Sequence, residues 1–261
     1  MAHITRAGVR LAYADTGSGP PVVLIHGFPF SRRMWEPQTP LAGAGRLITA
    51  DLRGFGESGG TPASLDELAD DLHALVEHLR LPTAVFGGFS MGGYVLFRYL
   101  ARHADHAKAV LLLDTRAEAD TPEGRQRRYD SIARIERDGP AGYLDDFVKL
   151  VVATKTLESQ PDLVKAVRDL MESRRTPSLV GGLRAMAQRP DSTPLLSSIR
   201  VPTLIVVGED DKATPVSSAR TMHEAIPGSR LVIIPEAGHV SNLEQPERFN
   251  AALRDFLQAL R

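Results

Sequence analysis

Short, almost wholly apolar runs alternate along the chain with longer stretches whose apolar residues recur at helical spacing. The runs occupy 21–26, 46–51, 83–87, 108–114, 201–208 and 229–235. They lack period-two alternation, the mark of strands buried on both faces as in a parallel sheet covered by helices. A further stretch, 4–15, with a turn near Ala7 and Gly8, reads as an antiparallel hairpin at the sheet edge. Counting the hairpin as two strands, the pattern predicts an α/β fold with a mostly parallel eight-stranded sheet and helices on both faces. Between strands, Ser64 and Glu67 form a capping box ahead of a stripe of Leu65, Leu68, Leu72, Leu75 and Leu79. The last helix, 246–260, repeats the pattern with Phe249, Leu253, Phe256, Leu257 and Leu260.

The segment 118–194 breaks this alternation. It has no strand-like run, is punctuated by Pro and Gly, and carries helical spacing at Leu144, Phe147, Val148 and Val151. We expect a helical cap inserted after the sixth strand, with the core assembled from 1–117 and 195–261. Ligands in open α/β sheets bind beyond the carboxyl ends of the strands, so an insertion at that edge is placed to act as a lid.

Composition narrows the function classes. The chain has 261 residues, 31 Lys plus Arg against 32 Asp plus Glu, and no Cys. Near-neutral charge without a basic block argues against nucleic-acid partners. The longest aliphatic runs are far short of the ~20 residues that span a bilayer, so no membrane partner is expected. Residues 1–10 lack the apolar core of a secretory signal, which points to the cytoplasm. Without Cys, disulfides and thiolate chemistry are excluded. Oligomeric state, monomer or homo-oligomer, is left open.

The chemistry-bearing motif is Gly88-Phe89-Ser90-Met91-Gly92, a G-x-S-x-G placed directly after a predicted strand and before a helix-like run. Its glycines suit a sharp strand-to-helix turn that projects Ser90 outward. The loop His26-Gly27-Phe28-Pro29 follows another strand and is suited to completing an oxyanion hole, whose donors would be the N–H groups of Phe28 and Met91. His26 itself reads as a buried brace for that loop. A serine hydroxyl is a poor nucleophile unless an imidazole takes its proton, and the imidazole needs an acid to fix its tautomer. Acids stand at the end of the seventh strand, in Gly208-Glu209-Asp210-Asp211, and His239 follows the eighth. Ser90, acid and His239 thus appear in the order Ser, acid, His.

With these residues in view, the chain resembles α/β-hydrolase-fold proteins over nearly its whole length. The resemblance rests on HGFP at 26–29, DLRGFGES at 51–58, GFSMGG at 88–93, GEDDKATP at 208–215 and EAGHVSNLEQPE at 236–247. Within the fold it is similar to bacterial carboxylesterases and to enol-lactonases acting on 3-oxoadipate. The family's G-E-x-D pattern implies that Asp211 is the acid; Asp210 and Asp114, where some relatives carry theirs, stay open as competitors. Because position 90 is Ser and not Asp, the resemblance implies ester or lactone substrates rather than haloalkanes or epoxides. It implies no cofactor.

The apolar Phe30, Trp35, Phe89 and Val240 flank these motifs, and with the cap residues Tyr143, Phe147 and Met186 they are the expected substrate contacts, favouring a small to medium, uncharged ester. A lactone bearing a carboxylate would need a cation, for which Arg116 is the candidate. Arg53 reads as a tie for its loop, and Arg125, Arg127 and Arg128 as a wet surface. His103 and His106 are assigned no metal for want of a nearby carboxylate, and His73 and His78 are expected in solvent. A ligand-binding or signalling module on the same fold is the competing reading of another class.

Overall fold

A computed structural model describes residues 2–43, 45–171 and 175–260. The predicted eight strands form one sheet: β1 (Ala2–Arg6), β2 (Val9–Thr16), β3 (Pro21–Ile25), β4 (Arg46–Ala50), β5 (Ala84–Phe89), β6 (Ala107–Leu113), β7 (Thr203–Gly208) and β8 (Arg230–Ile234). Their spatial order is β1-β2-β4-β3-β5-β6-β7-β8. The first two pairings are antiparallel and all later ones parallel. The hairpin turns at Ala7 and Gly8, whose φ angles of 48° and 73° give the left-handed pair that matches strand twist in a two-residue connection. From β5 to β7 every strand residue is buried except Lys108, which accounts for their unbroken apolar runs.

The chain winds outward from β3 to β4, then crosses back to place β5 on the other side of β3. That reversal leaves a crevice between the carboxyl ends of β3 and β5, the place where open α/β sheets take their ligands. Helix α1 (Leu65–His78) carries the predicted leucine stripe, and Ser64 Oγ accepts the Glu67 N–H at 3.1 Å as its cap. Helix α2 (Met91–His103) leaves directly from β5. Between β6 and β7 the described residues form helices and no strand, in α3 (Pro122–Asp138), α4 (Ala141–Val151), α5 (Thr154–Ser159), α6 (Pro161–Leu170), α7 (Thr176–Ala187) and α8 (Thr193–Leu196). The final helices are α9 (Val216–Ala225), α10 (Ser241–Glu244) and α11 (Pro246–Ala259).

The loop after β4 is built around two carboxylates. Asp51 accepts the N–H groups of Arg32 and Glu57 at 2.7 and 2.9 Å and pairs with the Arg32 guanidinium. Gly56, at φ 52°, lies so close to that carboxylate that a Cβ would collide with it, hence a glycine at this turn. Arg53 forks onto Asp71 of α1 at 2.7 and 2.8 Å, with both side chains buried, and Arg6 of β1 joins the same carboxylate at 2.7 Å. Arg53 is therefore committed to structure. Removing one partner of a buried pair strands the other charge, at a cost of about 3 kcal/mol. Asp71→Ala is expected to lower the Tm by about 6 to 12 °C in a calorimetric melt.

Candidate active site

Ser90 occupies the turn between β5 and α2 with φ 51° and ψ −117°, a backbone region that side chains rarely tolerate. Three features hold it there. Its N–H donates to Leu113 O at 3.0 Å, and its carbonyl accepts from Thr115 Oγ1 at 2.8 Å. The flanking glycines allow the backbone to close: a Cβ on Gly88 would lie 2.5 Å from Gly92 O, and one on Gly92 would strike Ile25 O at the end of β3. The β3 loop comes equally near, since a Cβ on Gly27 would sit 3.0 Å from Ser90 Cβ.

Ser90 Oγ lies 2.8 Å from His239 Nε2, and His239 Nδ1 lies 2.8 Å from Asp211 Oδ2. Asp211 also accepts from the N–H groups of Ala213 and Thr214, both at 2.8 Å, and from Thr214 Oγ1 at 2.7 Å. Burial pushes its carboxyl pKa up, but the charge and hydrogen bond of His239 and the Thr214 bonds outweigh burial and hold it below the usual carboxylate range. An ionised carboxylate only accepts, so His239 must donate from Nδ1. Its Nε2 is then left to accept the Ser90 hydroxyl proton. This chain of hydrogen bonds can raise the nucleophilicity of Ser90 and return a proton to a leaving group.

Geometry separates the three candidate acids. Asp210 is exposed and its N–H is bonded to Ala237 O. Asp114 is fully buried but faces elsewhere, accepting from Gly208 N–H at 2.8 Å and Ser241 Oγ at 2.6 Å. Burial, then the nearby charge of Asp211, raises its pKa well above the ordinary value. His26 is the brace expected of it. Its Nε2 accepts the Leu52 N–H at 2.9 Å, its Nδ1 reaches Gly27 O at 2.8 Å, and burial lowers its pKa, so the ring is neutral.

A cavity of about 660 Å³ opens onto Ser90 and His239. Arg116, Tyr143, Phe147 and Met186 line it as expected, together with Phe28. Phe30, Trp35, Phe89 and Val240 do not: each is at most 1% exposed and packs in the core beneath the site, because motif flanks on strand ends and tight turns point inward as often as out. Met91 is likewise buried, but as the first residue of α2 its N–H has no intrahelical acceptor. The wet-surface expectation fails for Arg128, which lines the cavity and pairs with the carboxylate of Asp120. Arg116 and Arg189 share that carboxylate, at 2.7 and 2.9 Å. The cavity is not wholly apolar: among the described residues, Arg116, Arg127, Arg128, Arg134 and Lys212 line it beside the acids Asp120 and Asp146.

Sequence reasoning also missed Glu244. Its buried carboxylate accepts the Gly238 N–H at 2.7 Å, the Ala153 N–H at 2.9 Å and the Thr156 hydroxyl at 2.6 Å. With Val240 N–H donating to Val151 O at 3.2 Å, it binds the His239 loop to the helices between β6 and β7. Its only sequence signal was an acid five residues after His239.

Comparison with known proteins agrees with this architecture. A sequence profile of the α/β hydrolase fold family matches residues 20–246. An esterase from Thermogutta terrifontis, solved with malate bound, superposes with a TM-score of 0.94 at 37% identity, over 100% of this chain and 99% of its own. A 3-oxoadipate enol-lactonase of Acinetobacter baylyi is 28% identical over 96% of this chain and 94% of its own. A non-heme haloperoxidase of Rhodococcus erythropolis is 32% identical over 97% of both. No helix among the described residues is long and apolar enough to cross a membrane. In sequence, sheet order and the turn that carries Ser90, the chain belongs to the α/β hydrolase fold family.

Proposed function

We propose that this protein is a carboxylic ester hydrolase that works through an acyl-enzyme on Ser90. The observation that carries this reading is the unbroken hydrogen-bonded chain from Ser90 Oγ through His239 to Asp211. The esterase and enol-lactonase among its relatives support it.

In the first step His239 Nε2 takes the Ser90 proton as Oγ attacks the carbonyl carbon. The developing oxyanion is held by the N–H groups of Phe28 and Met91, and the proton passes from His239 to the leaving alkoxide. His239 then deprotonates a water that attacks the acyl-enzyme, releasing the acid and restoring Ser90. Asp211 keeps the imidazole in one tautomer and stabilises its charged form throughout. The helices of 118–194 serve as the cap, supplying Tyr143, Phe147 and Met186 to an acyl pocket.

A second reading, the lactone or ester that itself bears a carboxylate, is favoured by the cavity's charge. Asp120 is ionised: burial opposes this, but the Arg128 hydrogen bond and the charges of Arg128 and Arg189 hold its pKa below the ordinary value. One carboxylate among three guanidinium groups leaves positive charge facing the cavity. Arg116 lines the cavity with its side chain 26% exposed, where its guanidinium can pair with a substrate carboxylate.

Steady-state hydrolysis of p-nitrophenyl esters should continue well past one turnover in the wild type and fall by at least about 1000-fold in Ser90→Ala. A single stoichiometric burst in the wild type would identify a binding module instead. Asp211→Asn is expected to lose about 10,000-fold in kcat, since it disturbs the imidazole tautomer, while Asp114→Asn stays within about 10-fold of wild type. For an ester whose acyl group ends in a carboxylate, Arg116→Ala should raise KM by about 10-fold or more and leave p-nitrophenyl acetate unchanged. Equal effects on both esters would reject the anionic substrate.

A further inference from the structure

Away from Ser90, the two helices that pack side by side over the sheet end in a cluster of imidazoles that ester hydrolysis does not use. His73 and Glu77 are four residues apart on α1 and share one face of that helix. His106 stands on the short 3-10 turn that follows α2. One ligand atom from each of the three lies within 4.8 Å of the others. His106 Nε2 is 3.9 Å from Glu77 Oε1. The solvent expectation fails for His73, whose Nδ1 is shielded and has no hydrogen-bond partner among the described residues. The want of a carboxylate beside His106 fails as well, because Glu77 comes to it from a different helix.

We propose that His73, Glu77 and His106 form a binding site for a divalent transition-metal cation of the Zn²⁺ type. Two imidazoles and one carboxylate are a nitrogen and oxygen set that suits Zn²⁺, Co²⁺ or Ni²⁺ and not Mg²⁺ or Ca²⁺. Bonds of about 2.0 to 2.2 Å bring tetrahedral ligands to roughly 3.3 Å from one another. The exposed Glu77 side chain can supply that movement by a rotamer change. Water completes the coordination on the open side.

The surroundings orient the ligands. The His103 ring stacks on that of His73 at 3.7 Å and 7°, fixing its plane. Arg102, beside His103 in sequence, is paired with Asp70 at 2.8 Å. His106 Nδ1 faces Leu81 O at 3.4 Å, which favours the tautomer with its lone pair on Nε2, toward Glu77. Helix α2 runs from Met91, next to Ser90, to His103, a rise of about 20 Å. The metal would sit at the far end of that helix, joining the ends of α1 and α2 as a stabilising clasp with no part in ester chemistry.

Titration of untagged protein with Zn²⁺ alone, followed by calorimetry, tests this. Expected is one Zn²⁺ per chain in the micromolar range and a Tm rise of about 5 °C at saturating metal. His73→Ala and His106→Ala should each weaken binding at least 10-fold, and Glu77→Gln, at an exposed position that folding tolerates, should weaken it less. Co²⁺ should give a visible absorption band in the wild type that His106→Ala removes. Circular dichroism matching the wild type establishes that each variant is folded, and the result does not depend on whether the protein hydrolyses esters. Binding unchanged in both histidine variants, or no Zn²⁺ bound below about 1 mM, would overturn the proposal.

Discussion

Ser90 can face a cavity only because its backbone is held at φ 51° and ψ −117°, and much of the surrounding structure serves that constraint. A residue in such a region costs on the order of 1 to 3 kcal/mol and persists only where its neighbours leave no alternative. Here β6 supplies an acceptor for its N–H, Thr115 a donor for its carbonyl, and β3 packs against glycines that leave no room for a Cβ. A relaxed turn would swing the hydroxyl away from His239. The strain and the hydrogen-bonded chain to Asp211 therefore stand or fall together.

The site itself is assembled from the carboxyl ends of separate strands. The loop after β3 brings Gly27 and Phe28, β5 brings Ser90, β7 brings Asp211 and the loop after β8 brings His239. A parallel sheet makes this possible, since all these strands end on the same side. Two further buried acids, near Asp211, do other work. Asp114 knits the start of α10 to the end of β7 through Ser241 and Gly208, and Glu244 fastens the His239 loop to the start of α5 through Ala153 and Thr156. The position of His239 is consequently shared with the helices above it, so the walls of the cavity and the His239 imidazole are one mechanical unit.

Charge at the cavity shows what composition conceals. A chain with a formal net charge of −1 still presents a cationic chamber, because Arg127, Arg128 and Arg134 of α3 and Arg116 near the end of β6 line it beside the carboxylates of Asp120 and Asp146. Arg189, from beyond α7, pairs with that carboxylate and stacks its guanidinium 4.3 Å from the Tyr94 ring, so even the wall behind the cavity is basic. Whole-chain charge bears on solubility and on long polyanions; it carries no information about a pocket of a few side chains.

The sequence by itself determined the sheet, its strand count, the run of helices between β6 and β7 and the Ser90 turn. Each is a local matter: an apolar run, a capping box at Ser64, a glycine spacing around one serine. It also placed His26 and Arg53 correctly as braces, because both lie within short loops whose needs can be read from neighbouring residues. The resemblance favoured Asp211, but only the tertiary structure shows that it is Asp211 and not its neighbour Asp210 that meets His239, since adjacent residues differ in the direction a turn gives them. The same holds for Phe30, Trp35, Phe89 and Val240, whose apolar character suits a pocket and a core alike until packing assigns them to the core. Arg128 joining Asp120, and Glu77 meeting His106 from another helix, are contacts across elements. Periodicity describes one element at a time, and which faces of two elements meet is settled by how the whole chain packs.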